Sequence, residues 1–187
     1  MKYPLQISLC GFGGQGIVLS SVILGTAVVT KGGLYAVQTQ SYGSEARGGQ
    51  CQAELIVDER PVASPVSDDK DILVCMFQDA YNRYVPTVKK DGMLVIDPDL
   101  VTNPDRNIAC TYAVPATEMA VELGNRMAAN MVMLGFLSES TGILKLDDLK
   151  DVVADHVSER FRELNMKAID AGAGFAKDNG FYRRQAG

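Results

Sequence analysis

The strongest constraint on the fold is a short apolar segment, residues 5–9, that runs directly into a cluster of glycines. Gly11, Gly13 and Gly16 match the spacing G-x-G-x-x-G, and an apolar stretch of helical length follows at 17–29. A strand, a glycine turn and a helix in this order are typical of an α/β unit whose turn lies at the carboxyl edge of a sheet. Backbone N–H groups of such a turn can bind an anion. A tight turn also favours glycine without any ligand, so both interpretations stay open here.

The rest of the chain alternates strand-like and helix-like segments. We expect further strands at 34–39, 50–57, 72–77, 93–96 and 108–114, and helices at 15–31, 78–85, 117–137 and 147–164. The first two strands should form a parallel pair with a right-handed crossover. The alternating pattern of 50–57 predicts an edge strand or one leg of a hairpin. The sequence therefore predicts an α/β fold, a single three-layer α/β/α domain over 1–187 with a mostly parallel sheet of five or six strands.

Two local features complete this prediction. Asp91 and Gly92 are typical of a turn before a buried strand, and Gly124 with Asn125 interrupts the long helical pattern. The end of the chain, 175–187, is expected to be loose or to dock on a partner.

Composition and charge exclude several classes of protein. The net charge of -5 over 187 residues, without a basic run, argues against nucleic-acid binding. The absence of a signal-peptide pattern and of a long apolar segment predicts a cytoplasmic chain that does not contact membrane. The four cysteines are isolated and His156 is the only histidine, so we expect no metal site. Three of the four cysteines lie in apolar runs, where a cysteine is usually a small core residue.

A second segment, 41–49, reads Ser-Tyr-Gly-Ser-Glu-Ala-Arg-Gly-Gly. Because it follows the second strand, it should lie at the carboxyl edge of the sheet, where open α/β sheets bind their ligands. Taken alone, it is better explained as a solvated surface loop, because loops are polar by default.

One candidate ligand for the glycine turn is a dinucleotide. A dinucleotide site requires an acidic residue about twenty positions beyond the glycines, at the end of the second strand. That strand ends at 37–40 without a carboxylate, and Glu45 and Arg47 lie in the loop beyond it. The chain also lacks an evident catalytic constellation. An independent NAD(P)-dependent oxidoreductase is therefore a disfavoured alternative.

The two segments together carry a more specific signal. Residues 10–16 followed by 41–49 resemble the gamma subunit of the 2-oxoacid:ferredoxin oxidoreductases, and the resemblance continues through 61–65, the strand after Asp71 and 124–135. It implies a subunit of a complex that decarboxylates a 2-oxoacid on thiamine diphosphate, passes electrons through iron–sulfur clusters to ferredoxin and transfers the acyl group to coenzyme A. The isolated chain should be inactive.

The resemblance also implies where the cofactors lie. Thiamine diphosphate, magnesium and the iron–sulfur clusters should be on the alpha, beta and ferredoxin-like delta subunits, with ferredoxin reached through the complex. This chain alone should hold no cofactor tightly and should contact coenzyme A in the assembly. Relatives with this pattern use pyruvate, 2-oxoglutarate, branched-chain oxoacids or indolepyruvate, and a free-standing chain of this length favours 2-oxoglutarate.

By resemblance, the cofactor-binding residues are Gly11, Gly13, Gly14, Gln15, Gly16, Ser41, Tyr42, Gly43, Glu45, Arg47, Gly48, Gly49 and Asn130. Backbone N–H groups of 13–16 would face an anion, and Arg47 would donate to a phosphate or carboxylate. Glu45 would orient Arg47 or accept from a hydroxyl. Asn130, set in an apolar helix, should hydrogen-bond the glycine turn. A scaffold subunit that uses the same loops only to hold its partners remains the alternative.

Overall fold

A computed structural model describes residues 2–42, 49–64, 69–104, 108 and 110–181. Its sheet contains β1 (Leu5–Phe12), β2 (Tyr35–Tyr42), β3 (Gln50–Asp58), β4 (Lys70–Cys75), β5 (Val88–Ile96) and β6 (Cys110–Ala113). The strand order is β2-β3-β1-β4-β5-β6. The pairs β1–β4, β4–β5 and β5–β6 are parallel, whereas β3 is antiparallel to both of its neighbours. The prediction of a mostly parallel sheet of five or six strands is confirmed.

The expected pairing of the first two strands is wrong, because β3 lies between β1 and β2. β3 is one leg of a hairpin with β2, as predicted, but it is not an edge strand. Its polar residues suggested solvent on one face, yet they are paired inside the protein. Gln52 donates to the hydroxyl of Ser8 at 3.0 Å, and Glu54 forms an ion pair with Lys70, whose side chain is 5% exposed. A strand with such partners can occupy an interior position of the sheet.

The helices are α1 (Ile17–Thr30), α2 (Gln78–Tyr84), α3 (Ala116–Glu122), α4 (Ala129–Thr141), α5 (Leu146–His156) and α6 (Glu159–Asp178). The first of the two long helical segments predicted in the second half is interrupted at Gly124 and Asn125, as predicted, whereas the prediction of the second, 147–164, as a single helix is wrong, since it forms α5 and part of α6. The first is broken where Gly124 adopts φ +100° and the side chain of Asn125 accepts the Met127 N–H at 3.0 Å. The second is broken by the extended backbone of Val157 and Ser158.

The two faces of the sheet are covered unequally. α1 and the four C-terminal helices share one large apolar cluster with one face. The other face carries a smaller cluster, which includes Leu73, Leu94 and Tyr81 of α2. The three predicted layers are present, but α2 is the only α-helix that the smaller cluster contains among the described residues.

Glycines allow α4 and α6 to cross at close range. A Cβ atom on Gly135 would lie 2.0 Å from the carbonyl oxygen of Ile169, and one on Gly172 would lie 1.9 Å from that of Val132. No side chain fits at such distances, so both positions require glycine. This contact fixes α4, which carries Asn130, against the rest of the helical layer.

Two further expectations are corrected. Asp91 and Gly92 lie within β5 rather than in a turn before it, at an irregularity where Lys70 opposes Val88 but Ile72 opposes Met93. The end of the chain is packed as far as Phe181, whose ring lies 5.0 Å from that of Tyr112. Residues 182–187 lie outside the described residues.

Three of the four cysteines are core residues, as expected. Cys10, Cys51 and Cys75 are buried and Cys110 is half-buried. The sulfur atoms of Cys10 and Cys75 are 3.0 Å apart on neighbouring strands. Burial, together with this contact, raises the pKa of the Cys10 thiol well above its ordinary value. Within the part of the chain that the structure describes, no helix is long and apolar enough to cross a membrane.

Candidate functional site

The two sequence motifs meet at the carboxyl edge of the sheet. β1 and β2 run in the same direction because each is antiparallel to β3, so Phe12 and Tyr42 end at the same edge. β4, parallel to β1, ends there at Cys75. The N–H of Gly13 donates to the carbonyl of Gly49 at 3.1 Å, which joins the end of the second motif to the glycine turn. The two motifs, which are far apart in the sequence, are therefore in direct contact in the fold.

Three glycines of the turn are required for different reasons. Gly14 and Gly16 adopt φ +98° and φ +74°, the left-handed region that side chains disfavour. A Cβ atom on Gly16 would lie 2.4 Å from Nδ2 of Asn130, and one on Gly11 would lie 2.4 Å from Oε1 of Gln15. The space beside Gly14 is open to at least 4 Å. Gly11 and Gly16 thus permit close packing, whereas Gly14 leaves the turn accessible.

Gln15 has a structural role that the sequence did not reveal. Its side-chain Oε1 accepts the N–H of Phe12 at 2.6 Å, and its Nε2 donates to the carbonyl of Met76 at 2.8 Å. The backbone N–H of Gln15 donates to the Phe12 carbonyl at 3.1 Å. One side chain therefore holds the end of β1 to the segment that follows β4. The predicted donation from the Gln15 backbone to an anion conflicts with this internal hydrogen bond.

The predicted contact of Asn130 with the glycine turn is confirmed. Asn130 is only 5% exposed, and its Nδ2 donates to the carbonyl of Gly16 at 3.4 Å and to the hydroxyl of Ser20 at 3.1 Å. The Gly16 carbonyl also accepts the Ser20 N–H at 2.9 Å, as the first hydrogen bond of α1. Asn130 therefore fixes the start of α1 to α4, and its Nδ2 group is engaged by two acceptors within the chain.

The glycine turn can still bind an anion through some of its backbone N–H groups. Among the described residues, the backbone N–H groups of Gly14 and Gly16 have no acceptor. α1 begins at Ile17 without a side-chain cap and without an acidic residue in its first turn. The unpaired N–H groups and the positive end of the helix dipole together favour a phosphate or carboxylate. The backbone N–H groups of Gly13 and Gln15 donate to carbonyl groups within the chain. Fewer N–H groups are therefore free to bind an anion than the four predicted from residues 13–16.

Aromatic and basic side chains border the turn. The rings of Phe12 and Phe77 lie 5.2 Å apart, and Phe12 is 38% exposed. Arg83 in α2 approaches Gln50, with 3.5 Å between its Nη1 and the glutamine Oε1. Gln50 opposes Phe12 across the strands, which places this cation at the same edge. Phe77 and Arg83 were not predicted as site residues, since nothing in their local sequence pattern distinguishes them from ordinary helix and loop residues.

Part of the second motif is described. Ser41 and Tyr42 are the last residues of β2, and Tyr42 is 62% exposed. They therefore belong to a strand that is longer than predicted. Gly43, Glu45, Arg47 and Gly48 lie outside the described residues.

A buried carboxylate, also missed, ends β5 at the same edge. Asp97 Oδ2 accepts the N–H and the hydroxyl of Thr117 at 2.8 and 2.6 Å, and so fixes the start of α3. Burial raises the pKa of Asp97, and the hydrogen bonds from Thr117 and Asp99 partly oppose that rise. No cluster of three or more His, Cys, Asp or Glu residues suited to a metal ion occurs among the described residues.

Known proteins are similar to this chain in sequence and in fold. Residues 6–175 match the family described as pyruvate ferredoxin/flavodoxin oxidoreductase. The chain is 39% identical over 175 residues to the 2-oxoglutarate synthase subunit KorC of Methanothermobacter thermautotrophicus, covering 89% of this chain and 92% of that one. The gamma subunit of a keto/oxoacid ferredoxin oxidoreductase from Geobacter sulfurreducens PCA superimposes with a TM-score of 0.82 and 35% identity, over 93% of this chain and 99% of that chain.

A larger protein contains the same unit. The 2-oxoglutarate:ferredoxin oxidoreductase of Magnetococcus marinus, solved with 2-oxoglutarate, coenzyme A and succinyl-CoA bound, superimposes with a TM-score of 0.85 and 27% identity. The match covers 95% of the present chain and 32% of that longer chain.

Proposed function

The chain belongs to the pyruvate ferredoxin/flavodoxin oxidoreductase family as a gamma-type subunit, and from this premise we propose that it serves a complex that converts 2-oxoglutarate. Within that complex, the glycine turn at 11–16 and the segment 41–49 would form part of the coenzyme A site. Other subunits would complete the site, and the isolated chain would have no oxidoreductase activity.

One observation carries the coenzyme A assignment: the uncapped start of α1 lies beside Gly49, at the edge where the second motif ends. Coenzyme A bears several phosphate groups, and the free N–H groups of Gly14 and Gly16 suit a phosphate oxygen. The Magnetococcus marinus relative was solved with coenzyme A and succinyl-CoA, which supports this choice of anion. When bound, coenzyme A supplies the thiol that accepts the acyl group.

The chain's own contribution would be binding and orientation. Gly14 and Gly16 would donate to a phosphate, and Arg47 would supply a permanently charged planar donor, with Glu45 orienting it. Gln15 and Asn130 would act through the turn, since their side chains hold it in place. Thiamine diphosphate, magnesium and the iron–sulfur clusters would be held by alpha, beta and delta subunits.

The choice of 2-oxoglutarate rests on the likeness to the KorC subunit, which spans nearly the whole of both chains. The assembled complex, assayed separately with 2-oxoglutarate, pyruvate, 3-methyl-2-oxobutanoate and indolepyruvate, should reduce ferredoxin fastest with 2-oxoglutarate. A preference for any of the other three would refute this assignment and leave the subunit role intact.

The coenzyme A contact is tested by placing a carboxylate in the accessible part of the turn. Gly14→Asp puts a negative charge where the phosphate would bind, and Gly33→Asp is the matched control. Gly33 also has positive φ and open space, and it lies at the far end of the fourteen-residue α1, about 21 Å away. In the assembled complex, Gly14→Asp should raise the KM for coenzyme A at least about tenfold, equivalent to about 1.4 kcal/mol, while Gly33→Asp leaves it unchanged.

Arg47→Ala tests the second motif in the same assay. The proposal expects a higher KM for coenzyme A or slower turnover in the assembled complex. If neither Gly14→Asp nor Arg47→Ala changes turnover or the KM for coenzyme A, both segments serve assembly alone and the scaffold interpretation is correct.

A further inference from the structure

An exposed aromatic ring lies beside the glycine turn and has no part in the phosphate contacts proposed above. Phe12, the last residue of β1, is 38% exposed and directly precedes the turn. Its backbone is fixed, because its N–H donates to the side chain of Gln15 at 2.6 Å. Phe77 is half-buried, packs on the smaller apolar cluster and lies with its ring centroid 5.2 Å from that of Phe12. The Phe12 ring is therefore supported from within the protein and accessible from outside.

This ring lies on the face of the sheet that carries α2. A Cβ atom on Gly11 would lie 2.8 Å from the side chain of Ile17 in α1, so position 11 points toward α1. Side chains alternate between the two faces of a strand, and Phe12 therefore points to the opposite face. Gln50 lies directly opposite Phe12 on β3, so its side chain lies on the same face. The glycine turn thus has the start of α1 on one side and these two side chains on the other.

Arg83 of α2 brings a positive charge to the same place. Its Nη1 donates to Oε1 of Gln50 at 3.5 Å, and its guanidinium carbon lies 5.4 Å from the centroid of the Tyr84 ring. Both partners are uncharged, and within the described part of the chain Arg83 forms no ion pair, not even with Asp79 one helical turn earlier. An exposed guanidinium that is held by uncharged groups keeps its charge available to an anion, and its planar donors suit a phosphate.

We propose that Phe12 and Arg83 form a nucleotide subsite for coenzyme A, in which the adenine ring stacks on Phe12 and Arg83 binds the 3′-phosphate. This inference rests on the coenzyme A site proposed above, where Gly14 and Gly16 bind a phosphate of the diphosphate group. The adenosine of coenzyme A, with its 3′-phosphate, is attached to that diphosphate, so a base and a second anion lie close to the turn. An aromatic ring and an arginine are the side chains that recognise these two groups.

The connection of this subsite to the glycine turn favours coenzyme A as its occupant. Gln50, the partner of Arg83, follows Gly49, whose carbonyl accepts the Gly13 N–H at 3.1 Å. Phe12 is the residue before the turn on the other strand. The aromatic ring and the positive charge therefore lie at the two strands that the turn joins, and a ligand with a phosphate on the turn can extend over both.

Two shortened forms of coenzyme A test the two contacts in the assembled complex. 3′-Dephospho-coenzyme A keeps the thiol and the adenine but lacks the phosphate assigned to Arg83, and 4′-phosphopantetheine keeps the thiol but lacks the whole adenosine. Arg83→Gln should raise the KM for coenzyme A at least about tenfold, and this effect should disappear with the dephospho form. Phe12→Leu should raise the KM for both adenine-containing acceptors at least about fivefold, and this effect should disappear with 4′-phosphopantetheine.

The chain offers a matched control pair at the start of α6. The guanidinium of Arg160 lies 4.6 Å from the centroid of the Phe161 ring, and Phe161 is 37% exposed, close to the value for Phe12. Where α6 crosses α4, Gly172 lies against Val132 and Ile169 against Gly135, so the start of α6 points away from Asn130 and the glycine turn. Arg160→Gln and Phe161→Leu should therefore leave the KM for all three acceptors unchanged.

Each comparison is made within one variant, so a loss of folding or assembly that affects all acceptors alike does not imitate the expected result. An Arg83→Gln effect of equal size on coenzyme A and its dephospho form would overturn the proposal. So would unchanged KM values with weaker assembly of the complex, which would make this surface a contact for a partner subunit. If only Gly14→Asp raises the KM for coenzyme A, the nucleotide subsite is wrong and the coenzyme A site stands. If Gly14→Asp also leaves that KM unchanged, the coenzyme A site itself is wrong.

Discussion

Gly16→Ala tests whether the glycine turn is held as the structure describes. Gly16 adopts φ +74°, which costs an alanine about 1–2 kcal/mol relative to its preferred backbone conformations. The new Cβ would also lie 2.4 Å from Nδ2 of Asn130, so Asn130 must move. Its hydrogen bonds to Gly16 and Ser20 would then be lost, at about 1 kcal/mol each. We expect a total loss of about 3–4 kcal/mol in the free energy of unfolding.

Chemical denaturation followed by circular dichroism measures this loss, and two further variants separate its parts. In Gly14→Ala the alanine must adopt an unfavourable backbone conformation, because φ is +98°, but its Cβ contacts nothing, because the space beside Gly14 is open. This variant should therefore lose only about 1–2 kcal/mol in the free energy of unfolding. In an Asn130→Ala background, Gly16→Ala should likewise cost about 1–2 kcal/mol. Equal losses for Gly14→Ala and Gly16→Ala would show that Asn130 does not pack on the turn and would refute this reasoning.

Three further experiments test other parts of the structure. Gln15→Leu should cost about 1–3 kcal/mol of stability in urea denaturation, since it leaves its two backbone partners unpaired, and a loss below about 0.5 kcal/mol would contradict the bridging role. Burial raises the pKa of Asp97 above its ordinary 3.8, so the folded state binds more protons than the unfolded state between the two pKa values. Stability should therefore fall as the pH rises through that window, and urea midpoints measured across it should show no such fall for Asp97→Asn. In native-state alkylation, Cys110 should react before the buried pair Cys10 and Cys75, and simultaneous labelling of all three would be inconsistent with this burial.

The elements that local sequence determines were predictable. The apolar run into Gly11, the start of a helix after Gly16 and the need of Asn130 for a backbone partner all follow from residues within a few positions or from the cost of a buried amide. The contact between the motifs was predictable in outline, because parallel strands bring their carboxyl ends to one edge.

What could not be predicted depends on partners far along the chain. β3 was expected to have a polar face in solvent, but Glu54 pairs with Lys70 and Gln52 with Ser8, and these pairs allow β3 to lie between β1 and β2. The bridge from Gln15 to Met76 spans sixty-one positions, and no local pattern indicates it. The insertion of β3 also moves β2 one strand away from β1, which weakens the dinucleotide interpretation beyond the missing carboxylate.

A structure of the assembled oxidoreductase with coenzyme A bound, by electron cryomicroscopy, tests the central claim most directly. We predict a phosphate oxygen within about 3.2 Å of the backbone nitrogen of Gly14 or Gly16, with segment 41–49 against the same ligand. A complex in which coenzyme A is bound elsewhere, while residues 11–16 and 41–49 contact only protein, would contradict the account.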